Sequence, residues 1–188
     1  ALGDVAVDAS GNLWVSDQDN PARLQKIDLA TGQVLQTITL TSTFGSPQLF
    51  LFSFAGLQVI DAPMTLGAAS VPAGSLLVYT GQSSPDRVVA LNPETGAVIG
   101  SLTLDANYDL TAGAFDAASN RIFVTAHSVG GGTSIVAIDP VSGVQTGVTT
   151  APFNIQSWSG LAVDPTTGHL WLGAINGGPQ LVEYLVSS

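Results

Sequence analysis

The sequence contains no cysteine, which excludes disulfide bonds, thiolate zinc sites and a cysteine nucleophile. Basic residues are also scarce: 4 Lys and Arg stand against 14 Asp and Glu, and the formal net charge is −10. A chain with so few cations cannot neutralise a series of phosphates, which argues against nucleic acids and anionic membrane surfaces as partners. The acidic side chains are therefore either simple solvating groups or ligands for a cation such as calcium.

The sequence also lacks a long apolar segment and a helical pattern. Its longest apolar run, 49–60, is interrupted by Ser53, Gly56 and Gln58, and it is shorter than the ~20 residues of a membrane-spanning helix. No segment keeps a helical period between caps. Short apolar runs separated by some of the 21 Gly and 10 Pro predict an all-β chain with many turns.

One five-residue corner recurs, with three copies placed between the predicted third and fourth strands of a repeat. Its copies are Asp-Leu-Ala-Thr-Gly at 28–32, Asn-Pro-Glu-Thr-Gly at 92–96 and Asp-Pro-Val-Ser-Gly at 139–143. Each copy separates two apolar runs. The first side chain can accept a backbone N–H two residues on, and the glycine can take the left-handed conformation before a returning strand. The pattern predicts three similar hairpin corners.

Other features recur in the same order around these corners. A strand of small residues ends in Asp at 5–8, 57–61, 114–116 and 161–164, and bulkier strands contain Trp14, Phe123 and Trp171. Four antiparallel strands, named A to D, in a unit of this length are typical of a propeller blade. We therefore predict a β-propeller, with the three aromatic residues packed against the next blade.

Two segments support this interpretation by resemblance. Residues 3–15, Gly-Asp-Val-Ala-Val-Asp-x-x-Gly-Asn-Leu-Trp-Val, resemble the strand A–B signature of NHL-type propellers. Residues 136–143 and 26–40 resemble the strand C–D signature of YVTN-type propellers. The resemblance implies blade architecture, and these families include binding modules, cell-surface proteins, lactonases and lyases.

The expected organisation is a single propeller domain or fragment over 1–188, with blades near 1–40, 41–104, 105–150 and 151–188. About four four-stranded blades fit, the last incomplete, whereas the families resembled usually close with more. The chain is then a fragment of a longer one, half of a ring completed by a second copy, or a compact four-bladed ring. Open blade faces and edges associate unless covered, so we expect a protein partner or self-association.

Loops that join strands B to C and D to A lie on one face of a propeller, and we predict the ligand site there. The candidate ligand-binding residues are Asp17, Asp19, Asp105, Asn107, Tyr108, Asp109, His127 and Trp158. Asp17 and Asp19 place carboxylate oxygens at alternate positions, as calcium-binding loops do, so they are the candidate metal ligands. No Gly-x-Ser-x-Gly elbow is present, and no catalytic residue is assigned.

The composition favours an extracellular or cell-surface protein of the secreted bacterial type, because lysine is rare and the surface acidic. We expect a binding or structural module that mediates protein interaction or assembly. One alternative, implied by the resemblance, is a metal-assisted lactonase or lyase using Asp17, Asp105 and His127. The other is a self-assembling surface or filament subunit. No signal peptide is visible, which we interpret as a mature chain or an excised piece.

The calcium hypothesis has a direct test. If Asp17 and Asp19 hold Ca²⁺, saturating CaCl₂ will raise the free energy of unfolding by about 2.7 kcal/mol at a hundredfold excess over the dissociation constant. Differential scanning calorimetry with and without CaCl₂ measures this gain, and Asp19→Asn will remove it. A transition unmoved by CaCl₂ contradicts the metal assignment.

Overall fold

The protein is a β-propeller of four blades in a computed structural model. The structure describes residues 2–17, 22–40, 54–80, 85–104, 110–127, 133–151, 159–174 and 180–185. Every regular element in these ranges is a strand. None of the described segments is a helix long and apolar enough to span a membrane.

The first two blades are complete antiparallel sheets of four strands each. Blade 1 consists of β1 (Leu2–Val7), β2 (Leu13–Asp17), β3 (Arg23–Ile27) and β4 (Val34–Thr39). Blade 2 consists of β5 (Phe54–Val59), β8 (Leu76–Thr80), β9 (Arg87–Leu91) and β10 (Val98–Thr103). A separate hairpin, β6 (Met64–Leu66) and β7 (Ala69–Val71), is inserted between the first two strands of blade 2.

Blade 3 repeats this meander, and blade 4 has three strands within the described residues. Blade 3 consists of β11 (Leu110–Asp116), β12 (Arg121–His127), β13 (Thr133–Ile138) and β14 (Gln145–Thr150). Blade 4 consists of β15 (Ser159–Val163), β16 (Leu170–Ala174) and β17 (Gln180–Tyr184). The first strand of each blade neighbours the first strand of the next, so β1, β5, β11 and β15 line the axis.

The three repeated corners join the third and fourth strands of blades 1 to 3, as predicted. In the first, Asp28 Oδ1 accepts the N–H groups of Ala30 at 2.8 Å and Thr31 at 3.1 Å, and Gly32 has φ of 73°. A register shift lies beside each corner, at Ile27, Val98 and Ile138. The side chain thus satisfies backbone donors that a tight turn leaves unpaired, and glycine reverses the strand without steric cost.

The hydrophobic core lies between the blades. Blade 1 contributes Trp14, Leu24 and Ile38 to the first cluster, where they meet Val78 and Leu91 of blade 2. All of these side chains are buried. Burial of each one stabilises the fold by roughly 1.5–3 kcal/mol, so packing of one sheet face on the next is the main source of stability.

Two further clusters repeat this arrangement. The one between blades 2 and 3 includes Tyr79 and Val88 on one side and Phe115 on the other. The one between blades 3 and 4 includes Phe123 and Leu172. Trp14 and Phe123 are therefore inter-blade core residues, as the sequence predicted. No cluster among the described residues joins blade 4 to blade 1.

Blade 2 contains extra, largely apolar residues within 41–74, here called the insert, and the β6–β7 hairpin accounts for part of it. Met64, Leu66 and Val71 are buried in the cluster between blades 2 and 3. The N–H of Gly67 in the hairpin turn donates to the carbonyl of Pro140 in the blade 3 corner at 2.8 Å. The hairpin therefore covers the outer part of this interface. The rest of the insert, 41–53, lies outside the described residues.

Side chains of the inner strands connect each blade to the next. Asp4 Oδ2 accepts the N–H of Leu57 at 2.7 Å, and Gln58 Oε1 accepts the N–H of Phe115 at 2.6 Å. Ser159 Oγ donates to Thr111 Oγ1 at 2.9 Å. Each polar group thus pairs with a group across the blade junction, where an unpaired one would be costly.

The small residues of the inner strands follow from crowding at the axis. A Cβ on Gly56 would lie 2.9 Å from the backbone nitrogen of Gly113, and a Cβ on Gly113 would overlap the Tyr79 ring. Tyr79 is buried, and this burial is the main reason that the pKa of its phenol is raised. The nearby Asp4 charge raises it further. Only hydrogen fits at Gly113 while the ring keeps its place.

Gly113→Ala tests this crowding. We expect the free energy of unfolding, measured by urea denaturation, to fall by ~1–3 kcal/mol because the methyl group displaces the Tyr79 ring. Gly160→Ala is the matched control on inner strand β15, where a Cβ meets nothing within 4 Å. It should change stability by less than about 0.5 kcal/mol. Equal losses in the two variants would refute the packing explanation.

Candidate functional site

The described part of the chain contains little of the predicted ligand-binding loop face. Asp17 is the last residue of β2, and it is half-buried. Its register partners on the neighbouring strands are Leu2 of β1 and Arg23 of β3. His127 ends β12 and pairs with Thr133 by its backbone. The other candidates lie outside the described residues: Asp19, Asp105, Asn107, Tyr108, Asp109 and Trp158. Their roles remain predictions, as does the calcium site.

Among the residues that the structure describes, no group of three His, Asp or Glu side chains is placed to hold a metal ion. Asp8, Asp28, Asp116, Asp139 and Asp164 instead accept hydrogen bonds inside their own turns. These carboxylates are structural, as expected for turn residues.

The front face of blade 4 is the first unusual surface. We use "front face" for the side of a blade that meets the next blade. The cross-strand trio Ala162, Trp171 and Glu183 of blade 4 matches Ala6, Trp14 and Lys26 of blade 1. Trp14 is 2% exposed, whereas Trp171 is 37% exposed. The predicted packing of Trp171 against a next blade stays a prediction, because no described blade follows blade 4.

Leu181 shows the same contrast on the same face. It pairs with Gly173 as Leu24 pairs with Ser16, so the two leucines hold equivalent positions. Leu24 is fully buried by blade 2, but Leu181 is 69% exposed. Blade 4 therefore presents to solvent an aromatic and an aliphatic side chain that elsewhere build the core.

The back face of blade 1 is the complementary surface. In strand register, Val5 and Val7 of blade 1 hold the positions of Leu57 and Val59 of blade 2. Val5 pairs with Val15 and Val7 with Leu13, whereas in blade 2 Leu57 pairs with Val78 and Val59 with Leu76. Leu57 is 5% exposed, but Val5 is 53% exposed. Val7 and Val34 are exposed as well. This face carries the aliphatic pattern of an inter-blade surface and lacks a described blade in front of it.

A groove of about 420 Å³ runs beside the inner strands. Its lining includes Val5 and Val7 of blade 1 and Trp171 and Leu181 of blade 4. Asp4 lies beside it; burial raises the pKa of its carboxyl group against the lowering effect of the Leu57 and Val5 N–H groups. The lining of the groove is thus mostly apolar, with Asp4 and Gln58 as polar members.

A larger cavity of about 900 Å³ opens on the opposite side, where the A–B turns and C–D corners lie. Lys26 spans its wall: its Nζ lies 2.8 Å from Asp8 Oδ2 and 5.7 Å from the centre of the Trp14 ring. Partial desolvation raises the pKa of Asp8, but Lys26 and hydrogen bonds from Asn12 and Ser10 outweigh it and hold the pKa at about 2. The ion pair ties the first turn to strand β3.

The sequence did not single out Val5, Val7, Leu181 or the exposure of Trp171. Their side chains are those of ordinary core strands, so composition and alternation gave no signal. The available signal was the order of the repeats. Aligned blade by blade, these positions match residues that pack between described blades, and no sheet in the described part of the chain stands in front of them.

No protein-family model matches the chain, and no curated protein matches it in sequence. The NHL and YVTN assignment therefore remains a resemblance.

Solved structures share the fold at low identity. They include the Dos1 propeller (9% identity, TM-score 0.56) and the WD40 domain of Toxoplasma gondii coronin (13%, 0.51). A third is the extracellular domain of a putative hybrid two-component system from B. thetaiotaomicron (16%, 0.51). All of this chain aligns with each, covering 49%, 46% and 21% of their lengths respectively. The chain thus spans half of these structures or less.

The two unusual carboxyl groups predict opposite pH effects on stability. The folded pKa of Asp8 lies below its ordinary value of 3.8, so its contribution is present above pH 3.8 and is lost as the pH falls toward 2. The folded pKa of Asp4 is raised, so the folded state binds the extra proton and stability declines as the pH rises above 3.8.

Asp8→Asn should be less stable than the parent chain near neutral pH, and the difference should vanish near pH 2. Asp4→Asn keeps an acceptor for the Leu57 N–H without a buried charge, so its stability relative to the parent should rise between pH 4 and pH 7. Urea denaturation across this pH range measures both. Parallel pH profiles for the two variants would contradict the assignments.

Proposed function

We propose that this chain is an extracellular propeller module that binds protein through exposed apolar side chains on the front face of blade 4 and the back face of blade 1. The observation that carries the proposal is Trp171, an inter-blade core residue by position that is 37% exposed here. Exposed aromatic and aliphatic side chains on a flat sheet are typical of the centre of a protein interface.

The chemistry of these faces favours a protein over a small molecule or a nucleic acid. Both faces expose apolar side chains: Val5, Val7 and Val34 on blade 1, and Trp171 and Leu181 beside Glu183 on blade 4. A sheet face of this kind provides a broad apolar surface. Binding is favoured most for a partner that covers it with an apolar face of its own, because both then bury apolar area. The net charge of −10 keeps the uncovered chain in solution.

Two of the structural neighbours support this proposal by analogy of fold. The coronin neighbour is a WD40 domain, and the Dos1 neighbour is a propeller. Propellers present broad rigid surfaces, on which side chains of several blades act together. Fold alone does not assign function, so the weight of the proposal lies on the exposed faces.

The extracellular location is supported by composition and by one neighbour. Lysine occurs once and cysteine is absent, and a structural neighbour is itself an extracellular domain. Fractionation of the producing cells, with an antibody against this chain, should place it outside the cytoplasmic membrane. Recovery only from the cytoplasm would contradict this part of the proposal.

Site-specific photo-cross-linking tests the binding face. A diazirine amino acid in place of Leu181 should give a protein adduct of discrete mass in the producing cells or their medium, because Leu181 lies 69% exposed in the proposed contact. The control position is Val148, which is 54% exposed on β14, outside these two faces.

Mass spectrometry of the adduct identifies the partner. Equal cross-linking at 181 and 148 would indicate random collision and would contradict the proposal. So would the absence of any adduct at 181 when the chain itself is present and folded.

A further inference from the structure

We infer that the cavity of about 900 Å³ among the A–B turns and C–D corners binds a basic peptide segment of another protein, in which apolar residues flank Arg or Lys. We call it the turn-side cavity. The inference goes beyond the proposed function, because it is carried by Asp61, Glu94 and Asp116 of blades 2 and 3, which lie outside the two sheet faces discussed above.

The first step is the lining of the turn-side cavity. The A–B turns of blades 1, 2 and 3 supply much of it. These blades pack on one another through two described clusters, so the walls belong to one connected body. Most of the lining residues are apolar, and they include Ile60, Pro93 and Phe115. A concave, mostly apolar wall with a few polar groups is the usual form of a ligand site.

The second step is that hydrogen bonds hold this wall in shape. Gln36 Nε2 donates to the carbonyl oxygens of Pro93 at 2.8 Å and Glu94 at 2.9 Å, which ties the second corner to β4. The N–H of Gly74 donates to the carbonyl of Ile60 at 2.7 Å. Because the wall is already ordered, a ligand that binds there loses little free energy in ordering it.

The third step concerns charge. Four carboxylates and one ammonium group line the cavity, which gives the lining a net charge of −3. The ammonium group is that of Lys26, and it is already paired with Asp8 at 2.8 Å. Asp61, Glu94 and Asp116 have no cation partner among the residues that the structure describes. A cation in this partly desolvated space is therefore attracted by three carboxylates that repel one another.

The three carboxylates differ in how firmly they are held. Asp116 is buried, and its carboxylate accepts the N–H of Ala118 at 3.1 Å and the hydroxyl of Ser119 at 2.6 Å. Asp61 and Glu94 are exposed. One carboxylate is thus fixed by its own turn, and two others can close on a bound cation.

The fourth step is the kind of ligand. The cavity is much larger than a single ion. The corners on either side of the second corner expose Leu29 (64%) and Val141 (49%). A small cation in the cavity would leave both in water. A protein segment with apolar residues beside its cationic side chain can cover them as well, which adds apolar burial to the charge complementarity.

The test begins with the selection of binding peptides. Random dodecapeptides displayed on phage are selected on the immobilised 188-residue chain in about 0.15 M NaCl, which screens charges farther apart than ~8 Å. The enriched sequences should carry Arg or Lys next to aliphatic or aromatic residues. Enrichment of sequences without a basic residue, or enrichment of none, overturns the inference.

Isosteric variants then locate the contact. Asp61→Asn combined with Glu94→Gln removes two charges from the lining and keeps the shape of both side chains. The dissociation constant of the selected peptides, measured by fluorescence anisotropy, should rise about 3- to 30-fold, because two ion pairs are lost.

Asp28→Asn combined with Asp139→Asn is the matched control. It removes the same charge from the first and third corners, outside the lining of the cavity. Asn is the natural residue at the equivalent position 92, so the corner keeps its acceptor oxygen. Peptide affinity should stay within about twofold of the parent value. An equal loss in both double variants would show that the peptides follow net charge alone, and it would overturn the site.

Spermidine separates a peptide ligand from a small cation. It has ammonium groups but no apolar side chains, so the selected peptides should bind the parent chain at least about tenfold more tightly. Equal affinity would overturn the assignment to a peptide. Asp61→Asn with Glu94→Gln should leave the cross-linked adduct at position 181 unchanged, so failure of this inference is distinguishable from failure of the proposed function.

Discussion

The structure depends on one interaction: the front face of each blade packs on the back face of the next. Every buried cluster in the described residues lies at such a junction, and none lies within a single sheet. A four-stranded sheet cannot bury both of its faces alone, so each blade is stable only against its neighbours. The hydrogen bonds from Asp4 and Gln58 to the next inner strand fix the spacing at the axis.

This dependence explains both the stability of the interior and the chemistry of the ends. Blades 2 and 3 are covered on both sides, and their strands read as continuous apolar runs such as 76–79 and 135–138. Blades 1 and 4 carry the same pattern on one side, where no described blade faces it. Exposure therefore follows from position: side chains that are buried between described blades have exposed counterparts at Val5, Trp171 and Leu181.

The sequence allowed contacts between neighbouring residues to be predicted, but the exposure of a side chain depends on distant parts of the fold and could not be predicted in every case. Asp28 and Gly32 predicted the corner correctly, because an Asx turn needs only residues next to each other. Trp14 and Phe123 were predicted correctly as inter-blade residues, since a blade follows each. Trp171 has the same local sequence context, and its exposure depends on a blade that the chain does not show. The β6–β7 strands have three residues each, too few to give a periodic signal.

The state of the Trp171 ring tests the central claim most directly. The chain has three tryptophans, so Trp14→Phe with Trp158→Phe leaves Trp171 as the only indole. Its emission and its quenching by acrylamide then report the front face of blade 4 alone. We predict emission typical of water contact and efficient quenching, in contrast to a variant that keeps only the buried Trp14. Short-wavelength emission from Trp171 with quenching as weak as that of Trp14 would contradict the account.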